Sequence, residues 1–364
     1  MLISERLRNI KPSGVRRIFD LARQMNDPIN LSIGEPDFDI PEPLKEEGME
    51  WIRRGFNKYT PTQGIPELRE KIASHLKKKK VHFEEVMVTA GVTGGLLLTS
   101  LALINPGDEV IIPDPFFVMY EYQVLLMGGI PVFVDTYPDF RLREEEIAKK
   151  ISKKTKLIII NSPNNPTGAI YPKEDLMMAV RIARERDLLI LSDDIYDNFV
   201  FDASSCPCIG QLYEKTITLG GFSKGWAMTG WRLGYVAGPK EILQQMITLQ
   251  QYTFSSVNSF AQKAAIKALD FNVEGYIQEY KKKRDIIYEG LKEKFRVQKP
   301  QGAFYIFPEV PGGDGEAFVE KAIQNNLFVV PGSVFSKKNT HVRISFAASD
   351  ETLFKGIEVL NRIS

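Results

Sequence analysis

Lys224 and Arg232 are the only charged side chains in the stretch GGFSKGWAMTGWRLGYVAG, residues 220–238. Glycines, aromatics and small apolar residues surround them. A lysine removed from water and set near an arginine loses affinity for its proton, because desolvation and a like charge both penalise the ammonium. An amine that is neutral near pH 7 attacks carbonyl carbon, which is what Schiff-base chemistry requires.

Other polar residues fall at the ends of strand-like runs, where open α/β sheets bind ligands. After VMVT comes Ala90-Gly91-Val92-Thr93-Gly94-Gly95, opening a helix whose free N–H groups suit a phosphate. After LIII comes NSPNNPTG, with Asn161, Asn164 and Asn165. After LLILS comes Asp193-Asp194-Ile195-Tyr196, and after TITLGG comes Phe222-Ser223-Lys224. Each has an ordinary reading alone: a tight turn for AGVTGG, a turn former for Asn165, a helix cap for Asp193. Together they suit pyridoxal 5′-phosphate. The amine forms the imine, an arginine and helix amides hold the phosphate, and a buried carboxylate keeps the pyridine nitrogen protonated. Amide and phenol donors tune the ring oxygen.

The elements that must position these residues follow an alternating pattern. From about Glu85, the runs EEVMVT, DEVIIP, KLIIIN, DLLILSD and TITLG alternate with helical patterns such as GGLLLTSLALI, FFVMYEYQVLLM and KEDLMMAVRIARER. This predicts an α/β domain with a largely parallel sheet covered on both faces. GPKEILQQMITLQQ and FAQKAAIKAL read as helices, and a long charged helix spans roughly Val273 to Lys294. AFYIF, LFVV and HVRISFA read as strands, and DETLFKGIEVLNRI closes the chain as a helix. This tail reads as a small α+β domain, and the first ~40 residues, with the amphipathic GVRRIFDLARQM, are expected to pack against it. The expected division is 1–40 with the small domain, 41–272 as the large cofactor-binding domain, and 273–364 as the rest of the small one.

The bulk numbers set limits. The chain has 364 residues, 43% hydrophobic and 26% charged, with a formal net charge of +1. That balance offers no global field for nucleic acid or an anionic membrane. The basic run Lys77 to Lys80 reads as the solvated end of a helix. Cys206 and Cys208 flank one proline, too close for an unstrained disulfide and too few for a zinc shell. His75, His82 and His341 lack ligand spacing, so no metal site is expected. MLISERLRNIKPSG has no apolar signal core, and the expected setting is reducing and cytoplasmic.

In order and spacing, LSIGEPDF, YTPTQGIPELRE, VTAGVTGG, PDPFFVMY, NSPNNPTG, SDDIY, GGFSKGWAMTGWRLGY, GAFYIFP and VRISFA resemble the fold-type I pyridoxal-phosphate enzymes, class I/II aminotransferases. The likeness runs from residue 31 to 347 and points to the microbial branch of aspartate, aromatic and broad-range enzymes. It implies an aspartate aminotransferase-like architecture: a seven-stranded, mostly parallel sheet flanked by helices, plus a small α+β domain from both termini. It implies that Lys224 bonds the cofactor and then moves the substrate's α-proton. Arg232 and the N–H groups of Gly91 and Val92 take the phosphate, and Phe117 stacks on the ring. Asn165 and Tyr196 bond the ring oxygen, and Asp193 pairs with the ring nitrogen. Arg343 takes the substrate α-carboxylate as a fork, and Gly34 lets the backbone approach it. Tyr59 reaches the partner's phosphate, which implies a homodimer.

Three positions depart from the fullest family pattern. Gly221 replaces a phosphate-binding serine, leaving Ser223 as a substitute donor. SDD replaces SDE. Thr93 stands where some aspartate-preferring relatives carry a lysine, which leaves the donor open among aspartate, aromatic amino acids or several. Arg16, Arg17 and Arg23 of the N-terminal segment, or the partner subunit, are the other sources of a cation for a distal carboxylate.

The expected activity is ping-pong transfer of an α-amino group to 2-oxoglutarate or another 2-oxo acid. The alternative is a C–S β-lyase on the same fold, since the cofactor residues are shared. An aminotransferase-like transcription regulator is disfavoured because the family pattern starts by about residue 31. A nicotinamide enzyme is disfavoured because no dinucleotide fingerprint follows the first strand.

Overall fold

The strand-forming runs meet in one seven-stranded sheet in a computed structural model, which describes residues 3–203 and 206–364. A 3-10 turn at Glu5–Leu7 precedes helix α1 (Gly14–Ala22), capped by the Ser13 hydroxyl, and the short strand β1 (Ile29–Asn30). Helices α2 (Glu42–Arg53) and α3 (Pro66–Lys78) lead into β2 (Glu85–Thr89) and α4 (Gly91–Leu103). Then come β3 (Glu109–Asp114), α5 (Met119–Leu126), β4 (Ile130–Asp135), α6 (Glu144–Ala148) and β5 (Thr155–Asn161). Helix α7 (Lys173–Arg186), β6 (Leu189–Asp193), β7 (Thr216–Gly221) and β8 (Gly234–Gly238) complete the sheet.

Its order is β2-β8-β7-β6-β5-β3-β4, with β8 antiparallel to both neighbours and every other pair parallel. The central strands are apolar at successive positions because both faces are covered. Leu157 and Ile159 face one helical layer, with α4 and α5, while Ile158 and Ile160 face α7.

The chain continues through α8 (Lys240–Thr253), α9 (Ser259–Ala268) and α10 (Glu274–Leu291). The last part holds β9 (Tyr305–Ile306), α11 (Gly315–Gln324), β10 (Leu327–Phe328), β11 (Val330–Pro331), β12 (Val342–Ser345) and α12 (Asp350–Ile363). Strands β11, β12 and β9 form an antiparallel sheet, and β10 pairs in parallel with β1. Ile18, Ala22 and Leu31 share an apolar cluster with Ile277, Leu353 and Val359, so both ends of the chain pack together.

Several expectations need correcting. LFVV is not one strand: it divides between β10 and β11, which belong to different sheets. The helix expected from Phe116 starts only at Met119, and the long charged helix is shorter at both ends than Val273 to Lys294. Three strands, β1, β4 and β8, had no counterpart among the expected runs. β4 is an edge strand whose second residue is Pro131, a residue tolerated at edges. β8 is short and bounded by glycines. Among the described residues, no helix is long and apolar enough to cross a membrane.

Candidate active site

Parallel strands β2, β7, β6 and β5 all end on one side of the sheet. Reversed β8 begins on that side, so Arg232, two residues before it, joins the same rim. Arg232 is exposed there, with positive φ (55°), and Nη1 donates to Thr229 O at 2.8 Å. The apolar stretch therefore secludes its lysine more than its arginine, because Arg232 precedes the strand rather than lying within it. Gly91, also at positive φ (71°), opens α4 beside it. A Cβ at Gly91 would stand 2.9 Å from Arg232 Nη2, and one at Gly234 would stand 2.7 Å from Val92 N. Glycine at both positions leaves an open cradle between a helix N-terminus and a guanidinium.

Lys224 is half-buried at the cavity wall, and its Nζ donates to Gly34 O at 2.6 Å. Desolvation brings its pKa down to about 8; Glu35 and Asp193 pull it up, while Arg343 and Arg232 push it further down. Arg343 thus joins Arg232 as a repelling charge. Asp193 closes β6 and is 3% exposed. Tyr120 on α5 donates to its Oδ2 at 2.7 Å and Ile195 N to its Oδ1 at 3.2 Å. Burial pushes its carboxyl up to about 6 against those two hydrogen bonds. A turn, not a helix, directly follows β6, so Asp193 steadies that turn rather than capping a helix.

Asn161 positions the loop after β5: its Oδ1 accepts from Asn165 N at 2.9 Å and its Nδ2 donates to Asp193 O at 2.9 Å. Asn165 Oδ1 in turn accepts from Arg343 Nη1 at 3.2 Å. Arg343 is 2% exposed, not a surface strand residue. Its Nη2 donates to Ser32 O at 2.8 Å, and its guanidinium carbon lies 4.5 Å and 4.4 Å from the ring centres of Tyr305 and Phe335. Its buried Nε has no hydrogen-bond partner among the described residues. Tyr196 and Tyr305 hydroxyls meet at 2.9 Å, and burial raises the Tyr196 pKa well above the usual phenol value.

One cavity of about 700 Å³ brings together Gly34, Val92, Phe117, Asn165, Asp193, Tyr196, Ser223, Lys224, Arg232 and Arg343. Gly91 lies against Arg232 at its rim. Tyr59 does not line it and is 90% exposed. Sequence reasoning missed Tyr120, Tyr305 and Glu35 as site residues. Tyr120 closes PDPFFVMY, Tyr305 is inside GAFYIFP, and Glu35 follows Gly34 in LSIGEPDF, so each was within a quoted motif.

The residues fit pyridoxal phosphate. The glycine cradle beside Arg232 matches a phosphate, the amine of Lys224 is poised for carbonyl chemistry, and Asp193 faces the same space as a buried acid. A doubly covered sheet with this rim defines the class of pyridoxal-phosphate enzymes that act on amino acids.

The sequence pattern of aminotransferase class I and II matches residues 26–360. A probable aspartate aminotransferase of Methanocaldococcus jannaschii is 41% identical, with 100% of each chain covered. An aromatic-amino-acid aminotransferase of Thermococcus litoralis is 40% identical, covering 100% of this chain and 98% of that one. The structure of Thermus thermophilus aspartate aminotransferase with maleate superposes with a TM-score of 0.95 at 35% identity, covering both chains fully. The chain belongs to the class I and II aminotransferases, and it is a transaminase that uses pyridoxal 5′-phosphate.

Proposed function

We propose that this enzyme moves the α-amino group of aspartate, an aromatic amino acid or both to 2-oxoglutarate or another 2-oxo acid, by a ping-pong cycle at one site. The observation that carries this is Arg343: a buried guanidinium with an unpartnered Nε, in the same cavity as an amine of lowered pKa. The α-carboxylate is held by Arg343 with Asn165 beside it, which sets Cα toward Lys224. Lys224 Nζ takes the α-proton and returns it on the other side of the transfer. When bound, pyridoxal phosphate supplies the electron sink for the pair left on Cα. Asp193 holds a proton at the ring nitrogen, Tyr196 and Asn165 donate to the ring oxygen, and Phe117 covers one ring face. Arg232, Ser223 and the N–H groups of Gly91 and Val92 hold the phosphate.

Both donor classes suit the outer cavity. Phe19, Phe117 and Tyr122 offer apolar surface, and Lys11 and Arg16 offer positive charge. Arg16 pairs with Asp20 at 3.2 Å, whereas Lys11 makes no ion pair among the described residues. These two take over the distal-carboxylate role that Thr93 cannot fill.

A homodimer completes the site through Tyr59. Its 90% exposure, the 85% exposure of Tyr252 and the exposed Met49 and Ile52 on α2 support a second copy covering that side. The shared cluster of both chain ends supports a small domain of residues 1–40 and 273–364 beside a large one of 41–272. Free Cys206 and Cys208 support a cytoplasmic setting.

The test is the visible absorption of cofactor-loaded enzyme, titrated separately with glutamate, aspartate, phenylalanine and cysteine. Loss of the band with glutamate and its return with 2-oxoglutarate is expected, and the other titrations rank the donors. A band that no amino acid changes would overturn the reading.

A further inference from the structure

Tyr305 touches both poles of the site without belonging to either. It starts β9, is 1% exposed, and pairs in register with Ser345 of β12, next but one to Arg343. Its hydroxyl oxygen lies 2.9 Å from the Tyr196 hydroxyl, with the two rings edge to face at 83°. Its ring forms one side of the aromatic sandwich around Arg343. A Cβ at Gly34 would stand 2.7 Å from Tyr305 Oη, so the backbone that accepts from Lys224 also passes directly over this phenol.

A hydroxyl has one hydrogen to give. If Tyr196 gives its hydrogen to the cofactor's ring oxygen, its own oxygen is left to accept, and Tyr305 is the neighbour within reach. Donation then runs from Tyr305 to Tyr196 to the ring oxygen, and each bond polarises the next. Arg343 over the Tyr305 ring favours that sense, because a cation on the ring face makes the phenol a better donor. The other charged or titratable groups around this pair are Glu35, Asp193, Lys224, Tyr120 and Tyr280.

We infer that Tyr305 is a positioning residue with two separable functions: its hydroxyl sets the direction and strength of the Tyr196 bond to the ring oxygen, and its ring holds the Arg343 plane for the substrate carboxylate. This rests on the roles of Tyr196 and Arg343 given under the proposed function.

The experiment is a pH titration of the visible band of cofactor-loaded enzyme in wild type, Tyr305→Phe, Tyr196→Phe and the double variant. A donor to the ring oxygen stabilises its negative charge and loosens the proton it shares with the Lys224 nitrogen. Removing a donor therefore raises the midpoint. Tyr305→Phe is expected to raise it by about 0.5 pH unit, a ~3-fold change in proton affinity. Tyr196→Phe should raise it further, and the double variant no further than Tyr196→Phe alone. An unmoved midpoint in Tyr305→Phe beside a moved one in Tyr196→Phe overturns the relay, and so does a double-variant shift equal to the sum. An unmoved midpoint in Tyr196→Phe overturns it too, but locates the failure in the ring-oxygen role of Tyr196.

The ring is tested separately by calorimetric binding of propionate. Tyr305→Phe keeps the sandwich and should change its Kd less than about 2-fold, whereas Tyr305→Leu should weaken it about 5- to 10-fold. Equal affinities in the two variants would remove the second function. A Tyr305→Leu variant that fails to fold leaves the Tyr305→Phe titration as the deciding measurement.

Discussion

Tyr120 on α5 donates its hydroxyl to Asp193 at the end of β6 across 2.7 Å, so the acid is fixed by an element 73 residues earlier in the sequence. Even so, burial lifts its pKa from 3.8 to about 6. An acid with a folded pKa above its unfolded one lowers stability as pH rises through that interval. The cost is absent below about pH 4, grows to about pH 6, and stays constant above. Two pH units correspond to roughly 3 kcal/mol. Cofactor-free Asp193→Asn should therefore resist denaturant better than wild type at pH 8 and equally at pH 4, since its amide oxygen still accepts from Tyr120. Turnover of the loaded variant should fall by about 100-fold or more. Equal stability at pH 8 would show that the carboxylate is hydrated.

Lys224 has the opposite shift, from 10.5 down to about 8. The neutral amine is the reactive form, so its fraction rises about tenfold per pH unit below 8 and levels above it. Stopped-flow mixing of cofactor-free enzyme with pyridoxal phosphate should give band-formation rates with that profile. A rate still climbing between pH 9 and 10 would assign Lys224 an ordinary lysine pKa. Lys224→Ala should form no such band.

How much of this was legible in the sequence depended on how local the signal was. Helices α7 and α12 match the sequence patterns residue for residue, because their apolar spacing lies within one segment. Asp193 was legible as the residue that ends a strand, and Lys224 as one that follows a strand end. Arg343 was not legible as a buried group, because what buries it comes from far away: its Nη2 partner, Ser32, is 311 residues distant. Tyr120 and Tyr305 did not stand out, since their hydroxyl partners are 73 and 109 residues off. Strand β8 was hidden by its glycines, which are there because the α4 N-terminus packs against Gly234.

That packing makes the cradle sensitive to one methyl group. At Gly91, alanine would pay about 1–2 kcal/mol for left-handed backbone and set its Cβ 2.9 Å from Arg232 Nη2. Gly91→Ala should weaken both pyridoxal phosphate and inorganic phosphate by about 10-fold or more, read by equilibrium dialysis. Wild-type affinity for both would move the phosphate site elsewhere.

Arg343→Lys keeps the charge but loses the planar fork and the fit between Tyr305 and Phe335. Charge-assisted hydrogen bonds are worth about 1.5–3 kcal/mol each. The KM for every amino donor should rise about 10- to 100-fold, with kcat falling less. A loss confined to kcat would place the carboxylate elsewhere.

Tyr59 gives the most direct test of the assembly. It lies outside the cavity of its own chain and is 90% exposed, an unusual position for a phenol with a role in the site. If it serves the partner's site, two defects on different chains can cancel. Lys224→Ala removes the amine but keeps Tyr59; Tyr59→Ala removes the phenol but keeps Lys224. A mixed dimer then contains one site with both groups intact and one with neither. After the two variants are unfolded together and refolded, activity should exceed the mean of the separate variants and approach one intact site per mixed dimer. Activity equal to that mean, with mixed dimers demonstrated by mass, would show that Tyr59 does not cross between subunits.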